Sequence, residues 1–329
     1  MVFKLKVLYL ALIGIVVWGV ADEYFIKLRP VPCTSVQLLG IKMRNVSRLS
    51  NITHLLEASS VLSLRRVVGS KNHKLVRSYI VQSLRDLNWH VELDSFTEQT
   101  PKLGPIRFHN IIAKLNPNAD RYLMLACHYD SKYFKNIKFV GTSDSAVPCA
   151  MLLNLALVLK EFLKDLQEAS ISLMFVFFDG EEAIEEWTAT DSLYGSRHLA
   201  RVWEEQGFLY RIDMLVLLDL IGTSDVHFNH LIEETTNWYK YLMQIENDFS
   251  RLGILPPHKA YFSIERVSDP EDDHKPFLER NVPVLHLIST PYPSVWHTQH
   301  DDISRTNFDV TEHIGKIIRF FVLQYFKLL

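Results

Sequence analysis

Apolar residues recur along the chain in two periods. Val76, Ile80, Leu84 and Leu87 fall at helical spacing, and the pattern stops at Asn88, which predicts a helix ending there. Ile314, Ile317, Phe321 and Tyr325 repeat the spacing within a helix expected over about residues 310–326. A longer stretch, about 147–166, puts Leu152, Leu155, Leu159, Phe162 and Leu166 on one side of a single helix. Between such helices lie short β-type runs at 89–96, 110–115, 122–127, 173–178, 214–218 and 282–287. Apolar strands alternating with amphipathic helices predict one α/β domain, with a mostly parallel sheet covered on both faces.

The residues that follow these strands carry the chemistry. The third run leads into His128-Tyr129-Asp130, the fourth into Asp179-Gly180-Glu181-Glu182 and the fifth into Asp219. The sixth contains His286, with Trp296-His297 a loop further on. Ligands of open α/β sheets bind at the carboxyl ends of the strands, so these ends converge on one polar site. Each residue also has a plainer reading. Asp144, in Gly141-Thr142-Ser143-Asp144-Ser145 before the long helix, could simply cap it. Glu181-Glu182 could be an exposed turn, and His297 a packed loop residue. Asp219 sits between Leu218 and Leu220, where a buried carboxylate is costly unless paired or metal-bound. Taken together, Asp144, Glu182 and His297 offer two oxygens and one nitrogen and leave a fourth position open, the pattern of a catalytic zinc. Glu181 then stands beside the metal as a base. No Gly-rich phosphate loop, HExxH helix or GxSxG elbow occurs, which argues against nucleotide, thermolysin-like and serine-hydrolase chemistry.

Composition adds class and compartment. The 329 residues are 48% hydrophobic and carry a net charge of -3 with both signs interspersed. That is enough to bury a large core, and it offers no basic tract for nucleic acid or an anionic membrane. Lys4 and Lys6 precede an apolar run ending in Gly19 and Ala21, the layout of a signal peptide over residues 1–21. The run is short for a span of about 20 residues, so no stable membrane span is expected after cleavage. An uncleaved anchor in the secretory pathway is the alternative. Residues 22–50 are expected to be a poorly ordered lead-in, and 51–329 the catalytic domain. Sequons at Asn45 and Asn51 fit export. Cys33, Cys127 and Cys149 make an odd count, so one bridge and one spare thiol are expected.

Several long blocks resemble the animal-type glutaminyl cyclases (glutaminyl-peptide cyclotransferases). They are Ala126-Cys127-His128-Tyr129-Asp130-Ser131-Lys132, Thr142-Ser143-Asp144-Ser145-Ala146-Val147-Pro148-Cys149 and Phe178-Asp179-Gly180-Glu181-Glu182. Further along come Asp191-Ser192-Leu193-Tyr194-Gly195-Ser196-Arg197-His198, Leu217-Leu218-Asp219-Leu220-Ile221-Gly222, Val282-Pro283-Val284-Leu285-His286-Leu287-Ile288 and Val295-Trp296-His297-Thr298. The resemblance covers roughly residues 55–329, with the blocks in order. It implies a mixed, twisted central sheet related to that of zinc aminopeptidases, and one zinc per chain on Asp144, Glu182 and His297. Glu181 would be the general acid/base, in a carboxylate network with Asp219 and Asp272. Trp187, His286, Tyr292 and Trp296 would line the substrate pocket. The resemblance also implies a Cys127–Cys149 bridge and a cis peptide after Asp144. The expected substrates are peptides and proteins with N-terminal Gln, or more slowly Glu, and the enzyme is expected to be a monomer. Two positions depart from the family: Glu271 stands where Gln is common, and Tyr292 where Phe is usual. A secreted zinc aminopeptidase is the rival reading, because His128, Asp144, Glu182, Asp219 and His297 form a full two-metal inventory.

Overall fold

The computed structural model describes residues 28–31, 36–257 and 259–329. The expected signal peptide and Cys33 lie outside the described residues. Helices α1 (Val36–Ser47), α2 (Ile52–Leu62) and α3 (Lys71–Arg85) precede strands β1 (His90–Thr100) and β2 (Gly104–Lys114). There follow β3 (Arg121–His128), α4 (Val147–Val158), β4 (Ile171–Phe178), α5 (Tyr194–Glu205) and β5 (Ile212–Asp219). The chain then forms β6 (Phe228–His230), α6 (Thr236–Arg251), β7 (Phe262–Arg266), β8 (Val284–Ile288) and α7 (Phe308–Tyr325).

The main sheet runs β1-β2-β4-β3-β5-β8. Strands β4, β3, β5 and β8 are parallel, while the β1–β2 hairpin pairs antiparallel with β4. This is the mixed, mostly parallel sheet expected. Its central strands are apolar on both faces because both are covered. Leu123, Leu125 and Cys127 of β3 join one core with α3, α4, α6 and α7, while Tyr122, Met124 and Ala126 join the other with α5. Leu123 and Leu125 on one face and Met124 on the other, fully buried, contribute about 1.5–3 kcal/mol each, so the sheet is held from both sides.

Helix α3 buries Val76, Ile80 and Leu84, and the turn after it closes at Asn88 with φ 63°, a conformation Asn tolerates. The helix expected over 147–166 is broken. Helix α4 ends at Leu159, and the chain bends by 72° into a short helical turn at Lys160–Leu163. The reason is packing. Residues 147–156 are all buried, so α4 runs inside the protein until the chain reaches the surface. Residues Val36–Ser47, in the lead-in expected to be poorly ordered, form α1, with Met43 and Val46 packed into the core beside α7. No single helix among the described residues is long and apolar enough to cross a membrane.

Candidate active site

The parallel strands deliver their charged ends to one edge. At the end of β3 stands His128, with Asp130 just beyond it; beyond β4 come Glu181 and Glu182, and at the end of β5 Asp219; all are buried. A cavity of about 540 Å³ opens over them, lined by Lys132, Asp144, Glu181, Glu182, Glu185, Trp187, Asp219, Glu271, Asp272, Tyr292, Trp296 and His297, among others.

Gly180 makes the turn that separates strand from site. Its φ is +69°, and a Cβ there would meet Phe108 at 2.4 Å, so only glycine fits. The next two amides are held by one group: Asp130 accepts hydrogen bonds from the Glu181 and Glu182 backbone N–H groups at 3.1 and 3.3 Å. Asp144 lies on a one-turn π-helical segment with non-helical φ of -120°, and its peptide bond to Ser145 is cis. Beneath this loop the buried Arg66 guanidinium donates to the carbonyls of Tyr129, Gly141 and Asp144 at 2.9, 2.9 and 3.1 Å, and also to that of Val140. Asp301 accepts from the Ser143 amide and hydroxyl at 2.8 and 2.9 Å.

Asp144, Glu182 and His297 each offer one donor atom, and the three atoms lie within 4.8 Å of one another. Each carboxylate has one oxygen engaged: Asp144 Oδ1 with His128 Nε2 at 3.0 Å, and Glu182 Oε2 with Lys132 Nζ at 3.2 Å. The other oxygens, Asp144 Oδ2 and Glu182 Oε1, are buried without a hydrogen-bond partner. Both stand 3.4 Å from His297 Nε2. Orphaned buried carboxylate oxygens are costly, and two of them around one imidazole fit a divalent metal. His297 is fixed for this role by stacking on Trp296 at 3.9 Å and by the edges of Phe134 and Phe139.

Glu181 ligates nothing in this arrangement. Burial, helped by the neighbouring Glu182 and Asp272, pushes its carboxyl well above the ordinary range, against the pull of His128. Burial likewise raises Asp219 to about 6, whereas Asp272, despite its burial, is held below the ordinary range by the His286 imidazole. His128 Nε2 hydrogen-bonds to Asp144 Oδ1 at 3.0 Å and lies 3.6 Å from Asp219 Oδ1, and these three side chains are also close enough to one another to hold a metal.

At the rim, Trp187 donates its indole N–H to Glu271 at 2.9 Å, and Tyr292 meets Trp296 edge-on at 4.7 Å. His286, expected in the pocket lining, lies behind it instead. It is buried on β8, with Nε2 2.9 Å from Asp272 and Nδ1 2.9 Å from Asp269. His286 pairs with Leu217, one step below the Asp219–Ile288 pair on the same face of the sheet, so it lies beneath the site and not at its edge. Cys127 and Cys149, where the resemblance implies a bridge, are buried thiols with sulfurs 2.8 Å apart. Asn45 and Asn51 are both exposed, Asn51 capping α2 by accepting from the His54 amide.

Sequence reasoning gave no role to Asp130, Lys132, Arg66 or Asp269. His128-Tyr129-Asp130 at a strand end could have pointed to Asp130. Arg66 and Asp269 sit in ordinary loop sequence, and nothing local singles them out.

Carboxylates and an imidazole gathered at the carboxyl edge of a mixed α/β sheet define a class, and residues 110–322 match the family described as Peptidase family M28. Over 291 residues the chain is 53% identical to a glutaminyl-peptide cyclotransferase of Drosophila melanogaster, covering 85% of this chain and 82% of the relative. It is 43% identical to a glutaminyl-peptide cyclotransferase of Bos taurus, covering 81% and 80%. The crystal structure of Macrostomum lignano glutaminyl cyclase superposes with a TM-score of 0.84 at 39% identity, covering 92% of this chain and 97% of that one. The chain belongs to the glutaminyl-peptide cyclotransferase family.

Proposed function

We propose that this enzyme closes the N-terminal Gln of peptides and proteins into pyroglutamate with release of ammonia, and N-terminal Glu more slowly with release of water. The observation that carries the reading is the pair of orphaned oxygens on Asp144 and Glu182 facing His297, with an unliganded Glu181 beside them on the cavity wall. We assign one zinc per chain to Asp144, Glu182 and His297, since two carboxylates and an imidazole suit catalytic zinc and calcium would take about 6–8 oxygens. Zinc bound there supplies a Lewis acid for the γ-carbonyl of the substrate.

The protein's own groups account for the rest. Trp187, Tyr292 and Trp296 enclose the flat amide side chain. Glu271, tethered by Trp187, sits at the rim where the peptide leaves the pocket. Held in this way, the α-amine lies close to its own γ-carbon, so attack is intramolecular and orientation supplies much of the rate. Glu181 takes a proton from the attacking amine and returns it to the departing ammonia, a role its raised affinity for protons suits. Asp219 and Asp272 orient the leaving nitrogen. The acyl group passes from one nitrogen to another, which makes the enzyme an acyltransferase.

We place the enzyme in the secretory pathway as a monomer, with residues 1–21 removed, glycans on the exposed Asn45 or Asn51, and no nucleic-acid partner. In an oxidising compartment the adjacent thiols of Cys127 and Cys149 would close to the family bridge. Incubation with a Gln-initiated peptide, followed by mass spectrometry and metal analysis, tests the proposal. Loss of the mass of ammonia with one zinc per chain is the expected result. Release of free glutamine with two zincs would make the protein an aminopeptidase.

A further inference from the structure

The charged groups around the mouth of the cavity are mostly answered by partners. Lys132 pairs with Glu182 at 3.2 Å, and Glu185 pairs with Lys102 of the β1–β2 turn. Glu271 is different. It is exposed, and its Oε2 accepts the Trp187 indole N–H at 2.9 Å. Among the described residues no Lys, Arg or His stands within ion-pair distance of it. Consecutive residues divide here: Asp272 is buried in the cavity wall, and Glu271 is left outside, beside the opening.

Glu271 also stands at a crossing. Besides the active-site cavity it lines a second groove of about 500 Å³, whose walls include Glu98, Ser192, Arg197, Lys275 and Glu279. Two cations of that groove have no carboxylate partner among the described residues. Arg197 donates only to the carbonyls of Ser192 and Thr190, at 3.0 and 3.4 Å, and Lys275 lies four residues beyond Glu271. An unpaired anion thus marks the mouth, and unpaired cations begin one step beyond it.

A substrate with its N-terminal Gln in the cavity places its second residue at this mouth. The aromatic members of the rim, Trp187, Tyr292 and Trp296, carry no charge, so Glu271 supplies the free charge that residue meets. A cationic side chain there gains an ion pair without displacing an existing one, and an acidic side chain meets a like charge. We propose that Glu271 sets the preference for the second residue of the substrate, favouring peptides that begin Gln-Lys or Gln-Arg over those that begin Gln-Glu or Gln-Asp. The inference rests on the cyclase reading and names the substrate class of that same site.

The preference has a position and a kinetic signature. It belongs to the second residue and fades further along, because a chain that crosses Glu271 enters the groove where Arg197 and Lys275 offset it. It falls on KM and not on kcat, since the side chain of the second residue is the same before and during ring closure.

Peptides beginning Gln-Lys, Gln-Ala and Gln-Glu, with one uncharged amidated tail, test it. At low salt kcat/KM should fall in that order by about two- to fivefold per step, the range of an exposed ion pair. The differences should shrink in 1 M salt, where the screening length is about 3 Å. Glu271→Gln keeps an acceptor for the Trp187 indole and should bring the three values together, while Glu271→Lys should reverse their order. Equal values in the wild type, or unaltered ratios in Glu271→Gln, would overturn the proposal. So would a charge effect as strong at the fourth residue as at the second, since that is what the field of the whole cavity gives. If the unmutated enzyme forms pyroglutamate from none of the peptides, the cyclase reading fails instead.

Discussion

Arg66 offers a severe test of how the metal loop is built, because it touches neither substrate nor metal. Its guanidinium is fully buried and donates to five backbone carbonyls, three of them on the loop from Val140 to Asp144. Replacing it by Met keeps the length and apolar stem but leaves those carbonyls without donors. Hydrogen bonds from a charged donor contribute about 1.5–3 kcal/mol each. Bonds made by one side chain are not additive, so the expected loss is about 3–5 kcal/mol, the range for removing one partner of a buried charge. For a domain of this size each kcal/mol lowers Tm by about 2 °C, giving a fall of about 6–10 °C. The loop also carries Asp144, so zinc affinity should drop about 10–100-fold, as when a group that orients a ligand is lost. Thermal unfolding of metal-free and zinc-loaded protein, with chelator competition for the zinc constant, measures both. Arg66→Lys, which keeps the charge but fewer donors, should fall between. If Arg66→Met shifts Tm by less than about 2 °C and leaves zinc affinity intact, the claim that this guanidinium shapes the loop is wrong.

Two further outcomes follow from the site. Glu181→Gln should cut kcat by about a hundredfold or more while zinc stays bound, because the proposed ligand is its neighbour Glu182; near-normal turnover at full metal occupancy would remove Glu181 from the chemistry. His286 gives a pH signature. Its pKa rises from an ordinary value of about 6.5 to about 9 in the folded protein, so its contribution to stability is complete below 6.5 and fades as pH climbs through 9. Wild-type Tm should therefore fall between pH 7 and 9.5, and His286→Gln should flatten that fall; parallel curves for the two proteins would contradict the assignment.

The sheet was legible in the sequence because its strands are buried on both faces and read as unbroken apolar runs. Strands β3, β4, β5 and β8 lie where the runs at 122–127, 173–178, 214–218 and 282–287 place them, to within two residues. The gathering of Asp144, Glu181, Glu182, Asp219 and His297 was legible for the same reason, since parallel strands end at a common edge. The helix break at Leu159 was not, because leucines at helical spacing continue through it and only the depth of α4 in the protein stops the helix. Arg66 and Asp269 were invisible for another reason. Most of the contacts that give them a role are distant in sequence: Arg66 reaches carbonyls 63 to 78 residues on, and Asp269 meets His286 of β8, 17 residues on. Periodicity reports burial, and it has no way to report which carbonyl a guanidinium will find.

Asp130 has a consequence for how this active site can change over time. Because one carboxylate anchors the amides of both Glu181 and Glu182, the proposed base and its proposed metal-binding neighbour are held as a single piece. Drift elsewhere in the scaffold can shift that piece but cannot alter the spacing within it. The rim is tied differently: a single indole hydrogen bond joins Trp187 to Glu271. Chemistry and selectivity are therefore mounted on separate fixings. An engineer seeking new peptide preferences should vary the Trp187–Glu271 clasp, where change is cheap, and leave the Asp130 anchor untouched.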